Sequence, residues 1–398
     1  MKIAIIGGGA AGLAAAVKAA EKHSVTVFER SGRVGRKIMA SGNGRCNLTN
    51  AALTADNYAD FFKYYNSKWA ADTVRRFDYN ALKSFFESLG LEMFSDEQGR
   101  VYPFSENSGS VLDVLRVKCQ KLNVKTVTDS EVVRVEKGKS SFKVMLHTGE
   151  FFFFDKVICA IGSKAQVNNF SKLEHLFDEK FEMTSLCPSL TPIKTKKMWL
   201  PLNGLRVKCN VSLFANGKKI KEEFGEVLFR DYGLSGIVIF NISSCIAAEK
   251  VKGLKKEYKI VLDLFPQFSL QELIEKLKHR AEICGKQTST FFVGLFHNKI
   301  ADAVIKKCGL GEELRNSDFE TISAFLKNIT FEVQELCGYD KCQVVSGGIK
   351  FDEVDENFES KKLKGMYFVG ECLDADGVCG GFNLHFAFAS GIIAGSSL

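Results

Sequence analysis

Ile3 to Ile6 is a short apolar, β-branched run, Leu13 to Lys22 is rich in alanine and other helix formers, and Val25-Thr26-Val27-Phe28 is a second strand-like run closed by Glu29. That order predicts a βαβ unit. From Tyr58 to Leu89 apolar residues such as Leu82, Phe85, Phe86 and Leu89 recur at helical spacing, and Gly90 stops the pattern. Glu92 to Pro103 reads as a hairpin turning at Asp96-Glu97-Gln98-Gly99, and Ser110 to Lys121 as a helix with Val111, Leu112, Leu115 and Val117 in its core. Thr126 to Glu136 and Ser141 to His147 alternate like strands, and Phe151 to Phe154 joins them in a β-meander. Lys156 to Gly162 is a continuous-apolar run of the kind buried in a parallel sheet.

The pattern changes after Cys187-Pro188. Three of the five prolines, Pro188, Pro192 and Pro201, fall in a short span, and short alternating strands follow to about Leu264. Ile237 to Phe240 reads as one strand-sized apolar run among them. From Ser269 to Leu326 helical spacing returns, as in Leu270, Leu273, Ile274 and Leu277, and again in Ala301, Val304 and Ile305. Lys364 to Glu371 is a strand ending in Gly-Glu, and a final helix runs through Ala387, Ala389, Ser390, Gly391 and Ala394, small enough for close packing on a sheet. The expected class is α/β: a two-part, Rossmann-like nucleotide-binding domain built from both ends of the chain, with an inserted β-rich module and a helical module. The boundaries are residues 1–186 for the first part, 187–267 for the β-rich module, 268–330 for the helical module, and 331–398 for the return to the β module and the first domain.

Length and composition support this without narrowing it. With 398 residues, 45% apolar and 25% charged, the chain is an ordinary globular protein able to bury a large core. No apolar run nears the roughly 18 residues that span a bilayer, so no membrane association and a cytoplasmic location are expected. A secretory signal is disfavoured: a single basic residue precedes the first apolar run, and an acid-tipped strand falls where cleavage would. The formal charge of +7 permits a polyanionic partner such as RNA without requiring one. The densest basic clusters, Lys194-Thr195-Lys196-Lys197 and Lys361 to Lys364, read most simply as solvated loops. Twelve cysteines without a C-x-x-C suggest reduced thiols and no metal site. Cys337 and Cys342 are spaced like a disulfide-reductase pair, but that pair normally follows the first βαβ unit, where only Cys46 stands. Oligomeric state is left open.

Candidate chemistry begins in the turn of the βαβ unit, where Gly7-Gly8-Gly9-Ala10-Ala11-Gly12 is a G-x-G-x-x-G loop. Gly7 permits the tight turn, Gly9 lets a pyrophosphate approach the backbone, and Gly12 lets helix and sheet pack closely. The helix start offers free N–H groups and a positive dipole end, and Glu29 can accept hydrogen bonds from ribose hydroxyls. Arg30 to Lys37 then brings four basic residues and Ser41 to Asn50 several small polar ones, as suits a second lobe clasping a large cofactor. Gly162 ends the middle strand where backbone would pass the cofactor, and Gly380-Gly381 would place further N–H groups at a ligand.

These residues resemble the HI0933-like flavoproteins, the group that includes BaiN-type and aminoacetone-oxidase-type proteins. The resemblance runs nearly end to end through GGGAAGLAAA, GRKIMASGNGRCNLTN, GRVYPFS, CPSLTPI, GEVLFRDYGLSG, and VVSGGIKFDEV to YFVGECLDADGVCGGFNLHFAFASG. It implies FAD, held by a two-part Rossmann-like domain with a β-barrel-like module and a helical module inserted. It also implies residue roles: Gly7, Gly9, Ala10, Ala11 and Gly12 at the pyrophosphate; Glu29 and Arg30 at the adenosine ribose; Arg36, Lys37, Ser41, Gly42, Gly44 and Asn47 along the pyrophosphate and flavin. Val133 would meet the adenine, Ala160 and Gly162 would end the middle strand beside the cofactor, and Gly370, Glu371 and Asp376 would reach the ribityl and phosphates. Gly380, Gly381, Asn383 and Leu384 would lie beneath the pyrimidine edge. The chain departs from the family at Asp231, where a histidine is common, and at His385 and Phe386, where glutamine and tryptophan are.

The activity expected is that of an FAD-dependent oxidoreductase. NADH or NADPH would pass hydride to flavin N5, and the reduced flavin would pass it to an electron-poor C=C or C=O. A second G-x-G-x-x-G is absent, so the nicotinamide would bind transiently. Candidate proton donors are Cys46, Arg45, Asp231, Tyr232 and His385, with Arg45 expected to lower the Cys46 pKa. The substrate would be a small enone or a uridine of ribosomal RNA. The alternatives are an oxidase acting on an amino-ketone and a flavin-binding sensor or scaffold without turnover.

Overall fold

The computed structural model describes all residues except 55–71, 74, 163–174 and 197–201. The first part of the helical pattern from Tyr58, together with Lys197 and Pro201, therefore lies outside the described residues. Contacts divide the chain into two compact units, residues 1–187 with 344–398, and residues 188–343.

The first unit is organised on a five-stranded parallel sheet in the order Met366–Phe368, Lys156–Cys159, β1 (Lys2–Ile6), β2 (Ser24–Phe28) and Lys125–Val127. Its strands come from both ends of the chain, as the two-part Rossmann-like expectation requires. Ile3, Ala4, Ile5, Val157, Ile158 and Cys159 have no exposed surface, which explains the unbroken apolar runs. Between β1 and β2 the chain forms α1 (Ala10–Ala19), in which eight residues are buried. The final helix, Phe382–Ser396, packs on α1 through small residues: a Cβ at Gly391 would overlap the Ala11 carbonyl oxygen, and one at Gly395 would come within 2.6 Å of the Ala15 carbonyl oxygen.

Three smaller features differ from the periodicity. Thr126 to Glu136 is two strands, because Asp129 turns left-handed (φ +51°) and sends Val132–Lys137 into a separate sheet with Phe142–Leu146 and Phe151–Phe154. Val117 faces solvent, while Val111, Leu112 and Leu115 are buried. The hairpin Met93–Ser95 with Arg100–Pro103 is present, and gains a third strand, β3 (Thr49–Asn50).

The second unit contains a closed six-stranded barrel in the order Ile193–Thr195, Gly233–Ser235, Lys218–Arg230, Arg206–Ala215, Tyr258–Asp263 and Ile329–Leu336. The helices Leu270–Cys284, Thr288–Phe291, Asn298–Cys308 and Asp318–Lys327 lie between its last two strands in the chain. Ile237 to Phe240 is not a strand but the first turn of a helix, Ile237–Val251. Buried positions run on through Ser243 to Ala248, so a short window of it carries no amphipathic period.

Candidate functional site

Most of the sequence-predicted cofactor residues converge in the first unit at the carboxyl ends of its parallel strands, where open α/β sheets place ligands. Gly7 leaves β1 with φ +106°, and a Cβ there would come within 2.6 Å of the Ala160 carbonyl oxygen. A Cβ at Gly12 would overlap the Gly7 carbonyl oxygen, so helix and strand touch backbone to backbone. Gly9 differs: among the described residues nothing lies within 4 Å of where its Cβ would be, and its φ of −86° is open to any residue. Ala10 and Ala11 begin α1.

Glu29 closes β2 with both carboxylate oxygens committed to the chain. Its Oε2 accepts from Gly8 N and its Oε1 from Ser31 N, both at 2.9 Å. The carboxylate thus shapes the glycine loop and retains lone pairs for a further donor. Arg30 is exposed beside it. Arg36 reaches Ser31 Oγ at 3.4 Å. Lys37 forms an ion pair with Glu371, and both side chains lie against Gly162. Val133 is exposed on the strand Val132–Lys137.

Ser41 to Asn47 is a tightly coiled loop. Gly42, Asn43, Gly44 and Cys46 all have positive φ, at 56°, 54°, 86° and 60°, a conformation that Gly and Asn adopt readily and Cys rarely. Asn47 Oδ1 is buried without a partner among the described residues. Across from it, Gly381 caps the final helix at φ +99°, and a Cβ there would approach Asn47 Oδ1 to 2.8 Å. The approach to this cap is clipped by Asn383, whose Oδ1 accepts from Gly377 N at 2.8 Å while its Nδ2 donates to Gly377 O at 2.9 Å. Asp376 Oδ2 accepts from Ser346 Oγ at 2.7 Å. Gly370 and Glu371 follow the strand Met366–Phe368, and Leu384 is half-buried in the first turn of the final helix.

The candidate proton donors scatter. Cys46 is fully buried, and burial pushes its thiol up to about 11, opposite to the expected lowering by Arg45. Arg45 instead lies over the Tyr102 ring, 4.8 Å from its centroid. His385 has no exposed surface; Nδ1 lies 2.8 Å from Thr49 Oγ1 and Nε2 lies 2.9 Å from Phe77 O. Desolvation pushes His385 down to about 4. Cys46 and His385 are thus both enclosed by protein, with no exposed surface. Asp231 and Tyr232 belong to the second unit. Asp231 is exposed, and Tyr232 carries Lys341 Nζ 4.3 Å above its ring, with burial raising its hydroxyl pKa.

Two contributors escaped the sequence reading. Asn50 Nδ2 donates to Gly380 O at 3.3 Å, and Thr49 holds His385. Both lay inside the Ser41 to Asn50 segment read as a clasp, with no role assigned to either.

Comparison with known proteins adds the family. The model of the HI0933-like protein Rossmann domain matches residues 1–397. The chain belongs to that family. It is therefore a Rossmann-type FAD-dependent oxidoreductase. It is 32% identical to the 3-dehydro-bile acid delta(4,6)-reductase of Clostridium scindens, over 99% of this chain and 98% of that one. It is 25% identical to the ribosomal RNA dihydrouridine synthase of Haemophilus influenzae, over 97% and 95%. A solved structure of 3-ketosteroid delta1-dehydrogenase from Sterolibacterium denitrificans, 11% identical, shares the fold at a TM-score of 0.51, covering 99% of this chain and 98% of that one.

The residues present fit FAD. No described residue crowds Gly9, Asn47 Oδ1 is buried without a partner among the described residues, and the final helix begins beside it at Gly381, where first-turn N–H groups lack intrahelical partners.

Proposed function

We propose that this protein uses NADH or NADPH to saturate a C=C bond conjugated to a carbonyl in a small enone. The observation carrying this is the 32% identity, across nearly both whole chains, to a reductase named for such a bond. Bound flavin supplies hydride exchange at N5. The chain's own residues bind and orient it. Gly7, Gly9, Ala10, Ala11 and Gly12 receive the pyrophosphate, with Lys37 and Arg36 supplying positive charge. Glu29 takes the ribose hydroxyls, and Arg30 lies alongside. Ser41, Gly42, Gly44 and Asn47 would hold the ring together with Gly380, Gly381, Asn383 and Leu384, the latter group toward its pyrimidine edge. Ala160, Gly162, Gly370, Glu371 and Asp376 line the path between, and Val133 borders the adenine.

The proton that follows hydride comes from a group substrate can touch. The named candidates are Cys46, Arg45, Asp231, Tyr232 and His385, and the full burial of Cys46 and His385 favours the other three. A uridine of ribosomal RNA offers the same conjugated C=C, and 25% identity to two dihydrouridine synthases with a net charge of +7 supports that second reading.

Anaerobic mixing tests the proposal. NADH or NADPH is expected to bleach the flavin, and a 3-oxo-4-ene steroid to restore its colour within the turnover time. Reoxidation by uridine-containing ribosomal RNA fragments alone would transfer the proposal to RNA; reoxidation by dioxygen alone, with an amino-ketone as reductant, would make the protein an oxidase. No bleaching by any donor would leave a non-catalytic flavin binder. Separately, Glu29→Ala is expected to weaken FAD binding by about tenfold, the scale of one lost charge-assisted hydrogen bond. Equilibrium titration of the apoprotein measures it.

A further inference from the structure

His385 stands one turn inside the final helix, where its backbone N donates to Gly381 O at 3.0 Å. Its two ring nitrogens meet different partners. Phe77 O can only accept, so Nε2 carries the hydrogen, and Nδ1, left as an acceptor, receives the Thr49 hydroxyl proton. A single neutral tautomer satisfies both contacts. No charged residue occurs in Phe382–Ser396 or in β3, and Asp78, beside Phe77, is the acidic group acting on the ring.

Thr49 touches the same helical turn twice. Its side chain holds His385, and its carbonyl oxygen lies so close to Gly381 that a Cβ there would overlap it. Asn50 adds the bond to Gly380 O. β3 is thus a two-residue rail against which the Gly380 to Asn383 turn is set, and the unpartnered Asn47 Oδ1 faces that turn.

We propose that His385 is a positioning residue which, through Thr49, fixes the first turn of the final helix against the flavin and so sets the flavin's reduction potential. The inference rests on the FAD reading above. N–H groups and a helix N-terminus favour the reduced ring, which carries more negative charge, over the oxidised one. Their effect falls off steeply with distance, so a small shift of the turn changes the two affinities unequally.

The test compares wild type, Thr49→Val and Thr49→Ser as purified full-length protein. FAD affinity, reduction potential by dye equilibration and apoprotein melting temperature are measured for each. Valine keeps the shape and removes the hydroxyl; serine keeps the hydroxyl. The expected result is that Thr49→Val changes the oxidised-to-reduced affinity ratio by about tenfold, a fall in potential of about 30 mV for a two-electron couple, while Thr49→Ser restores it. A lower melting temperature with an unchanged potential would reduce His385 to a structural role and overturn the proposal. Should Thr49→Val fail to fold, His385→Phe, which keeps a ring and removes both nitrogens, must show the same fall. Wild type that binds no FAD would instead sink the cofactor reading itself.

Discussion

Gly9→Val is expected to yield a folded protein that binds FAD on the order of a hundredfold more weakly, because a β-branched side chain would fill the path by which a pyrophosphate meets the glycine loop. The structure separates binding from folding at this position. Gly9 has ordinary φ, and among the described residues nothing lies within 4 Å of its missing Cβ, so a side chain can start there without a clash. Gly12, three residues on, is the control. A Cβ there overlaps the Gly7 carbonyl oxygen, so Gly12→Val must displace α1 from β1 and is expected to give insoluble or unfolded chain. Circular dichroism and melting temperature of the apoproteins, beside FAD titration, distinguish the two. Equal folding defects in both variants would mean that the loop's glycines serve packing alone.

Acid should destabilise the protein through His385. Its folded-state pKa of about 4 lies below the 6.5 of a free imidazole, so between those values the unfolded chain binds more protons. The neutral ring's contribution is complete above pH 6.5 and lost as pH falls toward 4, amounting to roughly 3 kcal/mol by linkage. Asp374 slopes the other way, because burial raises its carboxyl pKa and favours the protonated form. Subtracting the behaviour of His385→Gln isolates the histidine. Urea unfolding midpoints of wild type should drop more between pH 7 and pH 4.5 than those of the variant; parallel drops would show that His385 does not carry the acid sensitivity.

The nucleotide loop was legible in the sequence because each of its features answers a local steric demand. Gly7 and Gly12 are required by carbonyl oxygens at the helix–strand contact, and the β1 and β2 runs are apolar because both faces of the sheet are covered. The helix Ile237–Val251 was not legible, since burial spread along it erases the period that separates helix from strand. The surroundings of the proton-donor candidates were the least legible. His385 and Thr49 are 336 residues apart, and nothing in the spacing of either reveals that one buries the other's hydrogen-bonding capacity. Cys46 was read from its basic neighbour, yet its left-handed backbone (φ +60°) accompanies a thiol buried where desolvation governs.

The central claim is that residues from both ends of the chain, assembled on one parallel sheet, hold a single FAD. Heat-denaturing the purified protein and identifying the released nucleotide by mass tests it most directly. The account predicts FAD, at one equivalent per chain after reconstitution. Folded protein that releases no flavin and takes none up from excess FAD would contradict it.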